Sequence, residues 1–151
     1  MAVRFSTGLK NSLLDTSDLK TLLDDGTIRV YSGTVPDDAD AALGGATLLC
    51  EYTDAGAVLA GGTGLDFDTA AASGALAKAP AQSWEGEAVA SGSATFFRFV
   101  QQADDGTLST TQVRIQGTVG GIGADLFVAS TTFVNSTTYY IDYFAISVPD
   151  L

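Results

Sequence analysis

Ala94-Thr95-Phe96-Phe97-Arg98-Phe99-Val100-Gln101 and Leu108-Ser109-Thr110-Thr111-Gln112-Val113-Arg114-Ile115-Gln116-Gly117 stand on either side of Asp105-Gly106. Both runs carry aromatic and β-branched residues, and an Asp-Gly dipeptide between such runs is a strong short-range hairpin signal. The spacing predicts an antiparallel strand pair. Each run also holds an arginine between two apolar neighbours, Phe97-Arg98-Phe99 and Val113-Arg114-Ile115, and the same triplet recurs as Val3-Arg4-Phe5 and Ile28-Arg29-Val30. Successive strand side chains point to opposite faces, so each triplet buries its flanks and turns its guanidinium the other way. All four arginines of the chain occupy this one kind of position.

Working outward, period-two patterning recurs along most of the chain. Ile28 to Ser32 reads as a strand closed by Gly33 and the Pro36-Asp37-Asp38 turn, and Thr47 to Thr53 as the next. After the glycine-rich Gly61-Gly62-Thr63-Gly64, Leu65-Asp66-Phe67-Asp68 alternates apolar with carboxylate. Ala75 to Ala79, stopped by Pro80, and Ala88-Val89-Ala90, after Trp84, are weaker strands. Phe127 to Val134 and Thr138 to Val148 are expected to pair around Asn135-Ser136, and the last run is apolar on both faces, as in a central strand or an edge that meets a partner. Roughly eight to ten strands at this spacing suit a sandwich.

Only the N-terminal stretch reads as helical. Leu9, Leu13 and Leu14 are spaced for one face with Thr7 as cap, and Leu19, Leu22 and Leu23 form a second stripe between Ser17 as cap and Gly26 as stop. Both helices are short and must gain stability by packing on something else. The expected fold is all-β: a single antiparallel β-sandwich domain over 1–151, jelly-roll-like or immunoglobulin-like, with residues 1–26 as a short helical N-terminal arm.

The chain has 151 residues, seven basic against eighteen acidic, and a net charge of −11. A surface for nucleic acid needs clustered Lys and Arg, so that partner is not expected. Fifteen of the acids are Asp, many of them in turns such as Asp24-Asp25-Gly26 and Asp104-Asp105-Gly106, so part of the charge is turn chemistry. No signal peptide, transmembrane run or polybasic anchor is read, and no membrane partner is expected.

Catalytic inventory is thin. The sequence has no histidine, the commonest general base and metal ligand, and one cysteine, so no intrachain disulfide. Cys50 reads as a small buried hydrophobe. Glu85 and Glu87 beside Trp84 offer a carboxylate pair next to a sugar platform, which keeps a carbohydrate-binding module and a hydrolase in view, yet a core tryptophan beside an acidic strand start is favoured. Asp66 and Asp68 share a strand face that could meet a cation, without the spacing of a known calcium loop. The glycine-rich stretches 61–64 and 117–123 lack the Gly-Lys-Ser/Thr ending of a phosphate loop. No catalytic residue, cofactor or metal is assigned. Arginine is common at interfaces, so at least one of Arg4, Arg29, Arg98 and Arg114 is expected to touch another subunit. Leu9, Leu13 and Leu14 of the arm are expected either to cross a subunit boundary or to plug one end of the sandwich.

Several stretches carry a resemblance: Arg4-Phe5-Ser6-Thr7-Gly8-Leu9-Lys10-Asn11-Ser12-Leu13-Leu14, Ile28-Arg29-Val30-Tyr31-Ser32-Gly33-Thr34-Val35-Pro36-Asp37-Asp38-Ala39-Asp40, Trp84-Glu85-Gly86-Glu87-Ala88, Ala90-Ser91-Gly92-Ser93-Ala94, Phe97-Arg98-Phe99 and Arg114-Ile115-Gln116-Gly117-Thr118-Val119-Gly120. In order, they resemble a family of small virion structural proteins of tailed bacteriophages. The resemblance implies a non-enzymatic particle component made in the host cytoplasm, first a capsid decoration (cement) protein outside the head, with a neck, tail or fibre role as the alternative. The implied partners are the major capsid protein or other virion proteins, with the chain itself a homo-oligomer.

Overall fold

The computed structural model describes residues 3–56 and 63–147. Its centre is β2 (Thr27–Ser32), paired antiparallel with β3 (Thr47–Asp54) on one side and β7 (Phe96–Val100) on the other. β7 pairs in turn with β8 (Arg114–Gly120), and β8 with the two-residue β1 (Arg4–Phe5). Beyond β3 lie β5 (Trp84–Glu87) and then β11 (Thr138–Ile141). The sheet therefore runs β1-β8-β7-β2-β3-β5-β11, and β9 (Leu126–Phe127) adds a short parallel pairing beside β8.

The register sorts this sheet into alternating rows. Tyr52, Ile28, Phe99, Ile115 and Phe5 lie side by side across five strands, as do Cys50, Val30, Phe97 and Gly117 across four. These rows form the apolar face, and Ile28, Val30, Tyr52, Phe97, Phe99 and Ile115 are fully buried. Between them runs the row Glu51, Arg29, Arg98, Gln116 and Arg4, facing the other way. The Arg29 and Arg98 triplets bury their flanks as the pattern predicts, Val3, Phe5 and Val113 are only half-buried, and Arg114 lies one position along the same polar face, opposite Val100.

Two small sheets complete the β structure: β4 (Ala75–Ala77) with β12 (Ala145–Ser147), and β6 (Gly92–Ser93) with β10 (Thr132–Phe133). The first closes over the apolar face. Phe144, just before β12, meets Phe97 edge-on at 5.8 Å and Trp84 at 5.9 Å, while Phe67 meets Trp84 edge-on at 5.5 Å and Phe99 at 5.6 Å. Edge-to-face rings at these separations add to the area they bury.

The helices are α1 (Thr7–Asp15) and α2 (Leu19–Leu23). Their caps lie one residue from the expected ones: Ser6, not Thr7, accepts the Leu9 amide, and Asp18, not Ser17, accepts that of Thr21. Leu9 and Leu23 are fully buried, Leu13 is half-buried, and Leu14 is 86% exposed. Leu14 lies five residues beyond Leu9, about 140° around the helix, so it points away from the stripe.

Two expected hairpins differ. β7 and β8 do pair, but β8 starts at Arg114, so Asp105-Gly106 sits inside the long 101–113 connection. Phe127 to Val134 and Thr138 to Val148 do not pair with each other: β10 joins β6, β11 joins β5 and β12 joins β4. Asn135-Ser136 is still a turn, with Ser136 at φ 62°. The second weak strand lies at Trp84–Glu87 rather than 88–90. Gly61, Gly62 and Val148 fall outside the described residues.

Several glycines are fixed by close approach. A Cβ on Gly8 would stand 2.4 Å from the Thr111 carbonyl, and one on Gly86 would stand 2.1 Å from the Glu51 oxygen. The obstacle at Gly86 is strand backbone, which cannot turn aside. Gly86→Ala should lower the unfolding free energy by about 3 kcal/mol, as overpacking does in a rigid site, read as a fall in urea midpoint at unchanged m-value.

Candidate functional site

The polar face of the sheet is where the chain departs from an ordinary half-solvated sheet. Two connections, 33–46 and 101–113, lie against it and are held by the arginines. Arg114 makes a buried pair with Asp104, Nε to Oδ2 at 2.5 Å and Nη2 to Oδ1 at 3.1 Å, with neither side chain more than 1% exposed. Its remaining donors reach the carbonyls of Thr107, Ala39 and Asp40. Arg98 donates Nε to the Gln116 Oε1 and Nη2 to the carbonyls of Ala41 and Asp38, and the Gln116 amide continues to the Pro36 carbonyl. Arg29 pairs with Glu51 at 2.5 Å and donates to the carbonyls of Asp104 and Gln102.

The electrostatics follow from burial. Arg98 has no carboxylate partner, and burial first, then the neighbouring Arg114 guanidinium, lower its pKa from 12.5. Its Nη1 is the one buried side-chain polar atom left without a hydrogen bond among the described residues. Burial likewise raises the Tyr31 hydroxyl above its usual range, although Arg29 and Arg98 pull the other way. Tyr31 stacks on Phe96 at 5.1 Å on this same face.

The seven residues expected at a partner interface therefore separate. Arg98, Arg114 and Leu9 are buried in the chain's own interior and present no surface to a second molecule. Arg29 is half-buried and engaged by Glu51 and two carbonyls. The physical reason is the two connections, which cover the face that strand alternation alone would leave to solvent. Leu13 packs against the core. Arg4 and Leu14 are exposed. The N-terminal segment is docked rather than loose. Ser6 bonds the Gln112 carbonyl and the Arg114 amide, and Thr7 donates its amide and hydroxyl to the Asp40 carboxylate at 2.8 and 2.6 Å.

The other candidates have framework roles. Trp84 is 1% exposed, with its indole N–H on Gln82 and Lys78 5.9 Å above its ring, so it offers no sugar platform. Glu85 accepts the Ser83 hydroxyl, and across the strands stand Thr53 and Tyr140 rather than a second acid. Asp66 accepts the Asp25 amide and the Gln82 side chain, and Asp68 accepts the Thr69 amide. Among the described residues no group of three acids, histidines or cysteines is placed to hold a metal ion. Nor is any described helix long and apolar enough to cross a membrane. Tyr140 and Asp142 border a cleft of about 300 Å³ with Lys78 and Gln82.

Sequence reading missed Asp104, Gln116 and Asp40 as partners of the arginine face. Gln116 had a signal: it lies two residues from Arg114 and so shares its face. Asp104 and Asp40 had none, because both lie in long connections whose path is set by tertiary packing.

No family model, no curated protein and no solved structure matches the chain.

Removing one partner of a buried pair leaves the other charge unpaired, which costs about 3–5 kcal/mol. Asp104→Ala should lose that much in urea unfolding, while Lys20→Ala, whose pair with Asp24 is about one-third exposed, should lose under about 1 kcal/mol. Burial also pushes the Cys50 thiol from 9.0 up to about 12, and the Tyr52 hydroxyl upward as well. Both raised values mean that stability is full below the unfolded pKa and falls as pH rises through the window between 9.0 and about 12 for Cys50. Urea midpoints should therefore drop between pH 8 and pH 10.5, and the native thiol should resist alkylation at pH 8 until the chain unfolds.

Proposed function

We propose that this protein is a non-enzymatic structural component of a bacteriophage virion, a decoration protein on the outer surface of the head. The observation that carries this reading is the latched polar face. Buried guanidinium groups tie both long connections to the sheet, making a stiff domain from loops that would otherwise move. The residues that could have served chemistry or sugar binding, Glu85, Asp66 and Trp84, are built into that framework. Exposed acids such as Asp37, Asp38, Asp105 and Asp142 give an exterior suited to solvent rather than to packaged DNA.

In finer terms we read the architecture as a β-sandwich, with the β4–β12 sheet as the second layer over the aromatic core. The likeness of the sequence to small tailed-phage virion proteins supports the particle role, with the major capsid protein as partner and a symmetric homo-oligomer as the assembled form.

The test is quantitative mass spectrometry of purified phage fractions. The chain should copurify with DNA-free heads at a fixed copy number set by the lattice symmetry. Recovery only with tails overturns the decoration role, and recovery only in the soluble fraction overturns the virion role.

A further inference from the structure

At one end of the main sheet, Trp84 opposite Ile141 is the last pair between β5 and β11. There the segment that enters β5 meets the segment that leaves β11, and the cleft of about 300 Å³ lies between them, lined by Lys78, Gln82 and Ser83 from one and Tyr140 and Asp142 from the other. Its wall is held firmly. The Gln82 Oε1 accepts the Asp66 amide and the Trp84 indole, and its Nε2 donates to the Gly64 carbonyl and the Asp66 carboxylate. The Lys78 Nζ sits on the Gln82 carbonyl at 2.6 Å. The rim differs from the wall. Tyr140 is 57% exposed and Asp142 is exposed, and neither side chain has a hydrogen-bond or ion-pair partner among the described residues. An ammonium carries three donors, so Lys78 keeps two beyond the one it gives to Gln82.

We infer that this cleft binds a neutral saccharide, with one sugar ring against the exposed ring of Tyr140 and its hydroxyl groups on Asp142 and Lys78. The lining selects the occupant. One ammonium and one carboxylate leave the cleft with no net charge to draw an ion. Phosphate would meet Asp142 on a chain of net charge −11. A divalent cation would find a single carboxylate, short of the several oxygen ligands it needs. A wholly apolar ligand would take Lys78 and Asp142 out of water and return no hydrogen bond to either. A sugar ring combines an apolar C–H face, which an aromatic ring covers, with hydroxyl groups that accept from an ammonium and donate to a carboxylate. The volume stands at the small end of ligand pockets, which suits one ring. With the wall already fixed, only the rim side chains lose freedom on binding. This site does not depend on the virion role.

The experiment is an NMR titration of isotope-labelled protein with glucose, galactose, mannose and N-acetylglucosamine, and separately with glycine and inorganic phosphate. At least one sugar should shift the amide resonances of Gln82, Ser83, Tyr140 and Asp142, with a millimolar Kd. Tyr140→Ala should weaken that binding about tenfold, while Tyr140→Phe, which keeps the ring, should stay within about twofold of wild type. Asp142→Asn should weaken it several-fold. Each variant should melt within a few degrees of wild type, because both side chains are exposed. No shift with any sugar, shifts confined to other parts of the chain, or binding that Tyr140→Ala matches overturns the inference. Tighter binding of glycine or phosphate than of any sugar at these residues overturns the saccharide class. Recovery of the protein with phage heads, which tests the virion role, is a separate readout that none of these results moves.

Discussion

The buried pair of Arg114 with Asp104 is the constraint on which the rest of the polar face depends. A guanidinium with no exposed surface must have its charge and its donors met inside the protein, or the fold loses several kcal/mol. Asp104 meets the charge, and the carbonyls of Thr107, Ala39 and Asp40 take the remaining donors. Those groups come from two separate connections. Satisfying one arginine therefore fixes the course of both.

The sheet is held by different physics on its two faces. On one, rows of fully buried apolar side chains gain by leaving water, and the Phe67, Trp84, Phe97, Phe99 and Phe144 rings close the layer. On the other, direction matters more than area, because guanidinium groups bind carbonyls and carboxylates in a fixed planar geometry. The apolar face tolerates small shifts of packing. The polar face holds its two connections in one arrangement. The fully buried Leu9 and the Thr7–Asp40 bonds extend this to the N-terminal segment, which is docked on the rest of the domain.

Much of the strand content was legible because alternation is a local property. The triplets at 28–30 and 97–99 bury their flanks and share one polar row, and Thr47 to Thr53 lies almost wholly where it was read. The helices were legible to within a residue at their caps. Pairing was less so. Asp105-Gly106 carries a hairpin signature, yet Asp104 is drawn under the sheet by Arg114 and Arg29, and the turn is lengthened around it. Asn135-Ser136 turns the chain as its residues suggest, but the strands on either side find other partners, Gly92–Ser93 and Trp84–Glu87, that lie far away in sequence.

By itself the sequence determined where most of the longer strands run and that each arginine turns to the opposite face from its apolar neighbours, since these follow from the two-residue repeat of an extended chain. Only the tertiary structure decided what covers that face. Alternation says where a side chain points and nothing about what arrives from elsewhere in the chain. Two connections close over Arg29, Arg98 and Arg114 because buried guanidinium groups demand partners, and Arg4, at the sheet edge beyond their reach, stays exposed. The same closure separates latch from surface: three arginines became internal ties, and one was left exposed.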